Sequence, residues 1–193
     1  AGGPKPKMAV FHQKGCTVLF GCDGIGLGDL DDPYVRALTE YNTDLIAGGS
    51  FSTPIESFLP FVARWDGESW SQLGSGMGGP DQDTPVLALT VYNSALIAGG
   101  LFDTVGGMKA NRIARWDGSA WSDLSGPSGT GVSGTVNALA VFDDGSGAAL
   151  YAGGSFLTAG GVTVHGIARW DGTAWSELSG PLGTGVNGEV NSL

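Results

Sequence analysis

The sequence is short of basic residues and has no long hydrophobic run, and each shortage excludes a class of protein. Only nine Lys and Arg residues stand against 19 Asp and Glu, which gives the 193 residues a net charge of −10. Nucleic acid is therefore not an expected partner, because phosphate backbones are bound by clustered basic side chains. No stretch approaches the ~20 consecutive apolar residues that cross a bilayer, so no membrane span is expected either.

Histidine and cysteine are equally scarce, with two residues of each. His12 and His165 lie far apart, and no nucleophile motif, phosphate loop or zinc-ligand spacing accompanies them. We therefore expect the chain not to be an enzyme. Cys16 and Cys22 flank the apolar run 17–20. This spacing suits a disulfide across a local hairpin in an oxidising compartment, and the alternative is a pair of buried thiols.

Glycine, by contrast, is abundant. The 35 Gly residues fall neither at every third position nor in one tract, which excludes collagen and simple linkers. Hydrophobic residues make up 41% of the chain, enough to build a buried core. The glycines instead punctuate many short elements.

Three copies of the phrase Ala-Arg-Trp-Asp-Gly identify the chain as a repeat protein. The copies occupy 63–67, 114–118 and 168–172, at steps of 51 and 54 residues. Upstream, Ala-Gly-Gly-x-Phe recurs at 47–51, 98–102 and 152–156 with the same steps. A second Trp follows the first at a constant spacing, so every Trp belongs to the repeat: Trp65, Trp70, Trp116, Trp121, Trp170 and Trp175.

Within a unit the apolar residues form four short runs rather than a helical pattern, and each run predicts a strand. In the second unit the predicted strands are Val86–Tyr92, Leu96–Phe102, Ile113–Trp116 and Trp121–Leu124.

The segments between these runs predict the turns. Residues 93–95 predict a tight polar turn, and Asp117-Gly118 predicts a hairpin in which both residues tolerate positive φ. Gly99 and Gly100 end a strand, where either neighbouring backbone comes close or φ is positive.

Four antiparallel strands in about 50 residues, repeated along the chain, are typical of β-propeller blades. We predict an all-β fold with three full units and partial units at both ends. The predicted segments are a degenerate half blade in 1–34, repeats 35–85, 86–135 and 136–189, and the start of a further repeat in 190–193.

The Gly-Gly-Ser-Phe and Arg-Trp-Asp-Gly phrases resemble kelch repeats, and resemble more closely the repeats of exported bacterial and fungal propellers related to the galactose-oxidase central domain. This resemblance implies an extracellular, periplasmic or cell-surface location. It does not imply copper oxidase activity, since the required set of His, Tyr and Cys is missing. The spacing of Trp65 and Trp70 is shorter than that of the aromatic pair in ordinary kelch repeats.

Residues present in every unit are expected to build the units. We predict that Trp65, Trp116 and Trp170 pack between sheets. The repeated arginines are predicted to satisfy carbonyls or to pair with Asp of an adjacent blade, and the alternative is recognition of carboxylates on a partner. These arginines are Arg64, Arg115 and Arg169.

Two acidic segments are candidates for calcium, because hard cations favour oxygen-rich loops. The candidate ligands are Asp29, Asp31, Asp32, Asp81 and Asp83. The alternative is that these loops are simply solvated.

The partial units at the ends leave three explanations. The sequence belongs to a longer protein, or two chains pair to complete a ring, or a small four-bladed ring closes by itself.

The leading functional hypothesis is a noncatalytic propeller with a structural role, or one that binds a protein through the connections 22–34, 74–85, 125–135 and 179–189. Self-association through blade edges is a further mode of partnership. The alternatives are a carbohydrate-binding or glycan-processing surface and an architectural subunit of a larger complex.

Overall fold

Every regular element in the described part of the protein is a β-strand. The computed structural model describes residues 11–13, 16–18, 34–51, 61–78, 84–129, 131–180, 183–186 and 188–193. Within these ranges there is no helix of the length and apolarity that a membrane crossing requires. The strands are β1 (Phe11–Gln13), β2 (Cys16–Val18), β3 (Tyr34–Tyr41), β4 (Asp44–Ser50), β5 (Val62–Trp65), β6 (Trp70–Gln72), β7 (Met77–Gly78), β8 (Val86–Tyr92), β9 (Ala95–Gly100), β10 (Thr104–Val105), β11 (Met108–Lys109), β12 (Ile113–Trp116), β13 (Trp121–Asp123), β14 (Thr135–Asp143), β15 (Ala148–Ser155), β16 (Thr158–Ala159), β17 (Val162–Thr163), β18 (Ile167–Trp170), β19 (Trp175–Glu177), β20 (Ser179–Gly180) and β21 (Gly183–Thr184).

Twelve of these strands form three antiparallel sheets of four. Sheet 1 has the order β3-β4-β5-β6, sheet 2 the order β8-β9-β12-β13, and sheet 3 the order β14-β15-β18-β19. The prediction of an all-β fold with four-stranded antiparallel units is therefore confirmed. In sheet 2, β8 and β12 have the predicted bounds, and β9 and β13 differ from them by one or two residues.

The first two strands of sheets 1 and 2 are joined by tight turns. Asn93 and Ser94 have φ of 48° and 59° and lie between Tyr92 and Ala95, which pair across the turn. Positive φ at both central residues matches the right-handed twist of the flanking strands. The tight polar turn predicted here is confirmed.

The Asp-Gly hairpin prediction needs correction. Trp116 pairs with Trp121, so four residues rather than two form the loop, and only Gly118 of the dipeptide has positive φ. Asp117 accepts the N–H groups of Ser119 and Ala120 at 2.8 and 2.9 Å. The loop is therefore held by a side-chain acceptor, and Asp117 needs no left-handed backbone.

Short hairpins that the sequence pattern did not indicate lie between the second and third strands of sheets 2 and 3. They are β10–β11 and β16–β17. Each turns on a Gly-Gly pair with positive φ, at 106–107 and 160–161. β10 also pairs with β7, and Val132 bridges to Ala159 of β16. Each hairpin thus contacts the connection that leaves the preceding sheet.

Consecutive sheets pack through the first glycine of each Ala-Gly-Gly phrase. A Cβ on Gly99 would lie 2.5 Å from Cγ1 of Val136, in the first strand of the next sheet. Gly48 meets Val86 in the same way at 2.6 Å. Close approach of backbone, one of the two predicted roles of this glycine pair, is confirmed at Gly100, where a Cβ would lie 2.1 Å from the Pro85 carbonyl oxygen. Gly99 instead makes room for a side chain, so the first strands of neighbouring sheets can touch, as β3 and β8 do.

Three apolar cores are buried in the described residues: a small one in sheet 1, which includes Phe51 and Trp70, and two that result from the packing between sheets. One lies between sheets 1 and 2 and includes the fully buried Ile46, Val62 and Leu96. The other lies between sheets 2 and 3 and includes Ile113 and Leu150. At the C-terminal side, Val190 lies against Gly153 as Val136 lies against Gly99, so residues 190–193 occupy the position of a further first strand.

Candidate functional site

The three sheets have two chemically different ends. The turn end carries the short loops such as 93–94 and 117–120. The connection end carries the inserted hairpins and the described parts of 74–85, 125–135 and 179–189. These described parts therefore gather at one end, as the topology of the predicted strands requires. Residues 22–33 of the first predicted connection lie outside the described residues.

A cleft of about 620 Å³ opens at the connection end of sheet 3. It lies between the residues on either side of the hairpin β16–β17, 155–157 and 165–166, and the residues Val186, Gly188 and Glu189. Its walls include Ser133, Ser155, Leu157, His165, Gly166 and Glu189. This cavity bears polar and titratable side chains.

Backbone hydrogen bonds fix the frame of the cleft. The N–H of Gly166 donates to the carbonyl of Phe156 at 3.0 Å, and the N–H of Val186 donates to the carbonyl of His165 at 2.9 Å. Gly166 has φ of 70°, in the left-handed region. The floor and one wall are thus held by the main chain, so side chains can differ there without altering the frame.

The polar side chains of the cleft are engaged in holding its parts together. Ser133 Oγ accepts the N–H groups of Leu157 and Thr158 at 3.2 and 3.0 Å. Asn137 Nδ2 donates to Glu189 Oε1 at 2.7 Å and fixes the carboxylate at the rim. The serine therefore anchors the hairpin, and the glutamate supplies the negative charge of the cleft.

The cleft coincides with departures from the repeat. At a step of 54 residues, Leu157 replaces Asp103, His165 replaces Asn111, and Glu189 replaces Thr135. The sequence pattern did not predict Leu157, Gly166 or Glu189 as site residues. The signal that could have found them is the loss of repetition itself, since residues that build every unit recur and residues that serve one unit do not.

The predicted structural tryptophans all lie in or beside the apolar cores. The rings of Trp116 and Trp121 are 5.3 Å apart, and Trp121 Nε1 donates to the carbonyl of Leu73 in the preceding unit at 2.8 Å. Trp175 makes the same bond to Leu124 at 2.7 Å. The remaining members pair similarly, as Trp65 with Trp70 and Trp170 with Trp175.

Two of the repeated arginines, Arg64 and Arg169, contact side chains of their own sheets, and Arg64 pairs with an Asp of its own sheet where an Asp of an adjacent blade was one of the predicted partners. Arg64 Nε lies 2.6 Å from Asp44 Oδ2, and both residues belong to sheet 1. Arg169 donates to Ser146 Oγ at 3.3 Å, within sheet 3. Each arginine lies on a third strand beside the second, so the turn end of its own sheet is the nearest polar partner.

The Asp of each Arg-Trp-Asp-Gly phrase caps its own loop. Hydrogen bonds from the N–H groups of Ala120 and Ser119 lower the pKa of Asp117 from 3.8 to about 2, with a smaller contribution from Arg115. The corresponding N–H groups lower the pKa of Asp66 and of Asp171 as well. These carboxylates are structural acceptors at the turn end.

The remaining predicted sites fall outside the description. Asp29, Asp31, Asp32, Asp81, Asp83 and Cys22 are not among the described residues. Cys16 lies in β2 with its backbone opposite Gln13. In the described part of the chain, no three His, Cys, Asp or Glu side chains come together as metal ligands.

Comparisons with protein families and with curated proteins found no match. No protein-family model matches the chain, and no curated protein matches it significantly.

Proposed function

We propose that the chain is a noncatalytic β-propeller segment, of kelch-like type, that binds a protein partner at the connection end. The observation that carries the proposal is the constant relation between consecutive sheets. Gly48 receives Val86, Gly99 receives Val136, and Gly153 receives Val190. A constant relation between stacked four-stranded meanders is the geometry from which propellers are built.

Binding at the connection end is supported by where the units differ. The turn end repeats its chemistry in each sheet, with Asp117 and its equivalents capping four-residue loops. The connection end carries the cleft and several exposed apolar side chains, of which Met108 and Leu157 are 50% and 67% exposed. Variable loops on a rigid scaffold are the common site of partner recognition.

A noncatalytic role is supported by how the cleft residues are used. A serine nucleophile attacks with a lone pair on Oγ, whereas both lone pairs of Ser133 Oγ accept backbone N–H groups. Glu189 accepts a hydrogen bond from an amide, and among the described residues no second carboxylate lines the cleft with it. This arrangement suits binding better than proton transfer.

The residues of the cleft support the carbohydrate-binding alternative less well than they support protein binding. Sugar rings are commonly bound against exposed aromatic faces, and Phe156, the aromatic residue that lines the cleft, is only 4% exposed. A structural role within a larger assembly remains the second candidate. Its support is an apolar set at the C-terminal side of sheet 3, where Phe142, Val186 and Leu193 are 60%, 42% and 48% exposed.

The proposal extends to location and cofactors. We place the protein outside the cytoplasm, in the periplasm or on the cell surface, by resemblance to exported propellers. Calcium binding by the two acidic segments is also proposed, and added chelator tests it by lowering the melting temperature if the ion stabilises the fold.

A peptide array probed with the labelled chain tests the binding function. We expect saturable binding that is lost in the variant M108K/L157K, which changes the connection end. The matched control is F142K, which changes an exposed apolar residue at the turn end and should retain binding. Binding to a glycan array alone would favour the carbohydrate alternative, and sensitivity to F142K alone would contradict the location.

A further inference from the structure

We propose that the cleft of sheet 3 binds the guanidinium side chain of an arginine presented by a partner protein. This proposal rests on the protein-binding function proposed above and names the chemistry of the partner. Sheets 2 and 3 have equivalent sites at their connection ends. An arginine side chain of the same chain occupies the site in sheet 2, and the site in sheet 3 is open.

The equivalent place in sheet 2 is filled by Arg112, which corresponds to Gly166 at a step of 54 residues. Arg112 Nη2 lies 3.0 Å from Asp103 Oδ1, and Nη1 donates to the carbonyl of Leu101. Both side chains of the ion pair are about one-third exposed or less. The arginine therefore lies in a polar niche at the connection end.

The backbone around the two places is the same. Gly100 N–H donates to the carbonyl of Arg112 at 3.0 Å, and Gly154 N–H donates to that of Gly166 at 2.9 Å. The φ angles of Arg112 and Gly166 are 72° and 70°. The main-chain frame of the arginine niche is therefore kept in sheet 3. A Cβ on Gly166 would lie 2.7 Å from the Gly188 carbonyl oxygen, so position 166 itself has no room for a side chain, while the cleft beside it stays open.

The cleft of sheet 3 still has an acidic residue, but at a different position from that in sheet 2. Leu157 replaces Asp103, but Glu189 replaces Thr135 on the opposite wall. Asn137 holds Glu189 Oε1 at 2.7 Å, which fixes the carboxylate toward the rim. Leu157 offers an apolar surface to the methylenes of an incoming side chain, and Glu189 offers the acceptor that a guanidinium requires.

Arginine fits these features better than lysine does. Its planar guanidinium presents several donors at once, while a lysine ammonium is a strongly hydrated point charge. The net charge of −10 also favours the approach of a basic partner. The cleft volume of about 620 Å³ admits the side chain together with part of its peptide.

The test uses N-acetylarginine amide titrated into the full chain and followed by the amide resonances of Gly166 and Gly188. We expect saturable shifts. The neutral isostere N-acetylcitrulline amide should bind about tenfold more weakly or worse, because charge-assisted hydrogen bonds are lost. E189Q should weaken the arginine probe by about tenfold for the same reason.

One further variant controls the interpretation. R112G opens the niche in sheet 2, leaves Asp103 in place, and should gain a second site for the probe. Unchanged far-UV circular dichroism shows that each variant folds.

Absence of saturable binding to the wild-type chain, or equal binding of the citrulline probe, overturns the proposal. Peptides on the array that bind without regard to arginine would overturn this proposal and leave the protein-binding function standing. An array with no bound peptide would instead overturn the function on which it rests.

Discussion

Replacing Gly99 by alanine tests how consecutive sheets are packed. The added Cβ would lie 2.5 Å from Val136 Cγ1 and 3.1 Å from Val136 Cβ, closer than real side chains approach each other. Val136 is fully buried and cannot turn into solvent. The backbone of one sheet must therefore move away from the next, or the valine must leave its rotamer.

The magnitude follows from two opposing effects. Overpacking of this kind costs about 1–3 kcal/mol, and alanine recovers up to ~1 kcal/mol by restricting the unfolded chain. We expect G99A to lower the free energy of unfolding by about 1–2 kcal/mol. V136A alone removes two methyl groups from a buried site and should cost about 2–3 kcal/mol.

The double variant G99A/V136A distinguishes contact from general disturbance. With Cγ1 absent, the new methyl fills the vacated space, so the two losses should couple favourably by about 1–2 kcal/mol. Urea denaturation followed by far-UV circular dichroism measures all four proteins. G48A is the matched control, because its Cβ would meet Val86 rather than Val136, and it should add to V136A without coupling. Additive losses in G99A/V136A would refute the packing described here.

Three smaller predictions concern the bonds between and within units. W175F removes a buried 2.7 Å donor to the Leu124 carbonyl and should cost about 1–3 kcal/mol in urea denaturation, whereas a loss under ~0.5 kcal/mol would show that the bond is replaced by water. Y92F removes a longer 3.3 Å bond to Ala148 and should cost less than about 1 kcal/mol, so a loss beyond ~2 kcal/mol would contradict the geometry. Because the pKa of Asp117 is lowered from 3.8 to about 2, its contribution is full above pH 3.8 and is lost as pH falls toward 2. D117A should therefore flatten this acid limb of a thermal denaturation series, and an unchanged acid limb would argue against the loop cap.

The repeat determined how much of the fold could be predicted. Apolar runs of four to seven residues predicted β8 and β12 with their observed bounds. The reason is that exposed and buried side chains alternate along a half-buried strand. The tight turn at 93–94 followed from an Asn-Ser pair between two such runs.

The two-residue strands of β10–β11 and β16–β17 could not be found by alternation, since two residues carry no period. Their Gly-Gly turns at 106–107 and 160–161 were the available signal. The Asp117 loop was misjudged because the dipeptide alone does not report that the carboxylate accepts N–H groups three residues on.

The cleft was harder to predict than the fold for a different reason. It exists where Gly166 and Leu157 stand in place of Arg112 and Asp103. The repeat identifies residues that every unit shares. The cleft, by contrast, lies where one unit lacks residues that its neighbour has. The partner of a repeated arginine also depends on strand register rather than on composition. Arg64, for example, pairs with Asp44 of its own sheet.

The central claim is that consecutive units are related by one constant rotation about a shared axis, and three distances between spin labels test it most directly. The labels belong at the exposed, equivalent loop positions Glu68, Ser119 and Thr173, in a chain whose two cysteines are replaced by serine. A ring predicts two equal neighbour distances and a first-to-third distance of about 1.4 times that value for four units or about 1.8 times for seven. A first-to-third distance equal to twice the neighbour distance, or two unequal neighbour distances, would contradict the account.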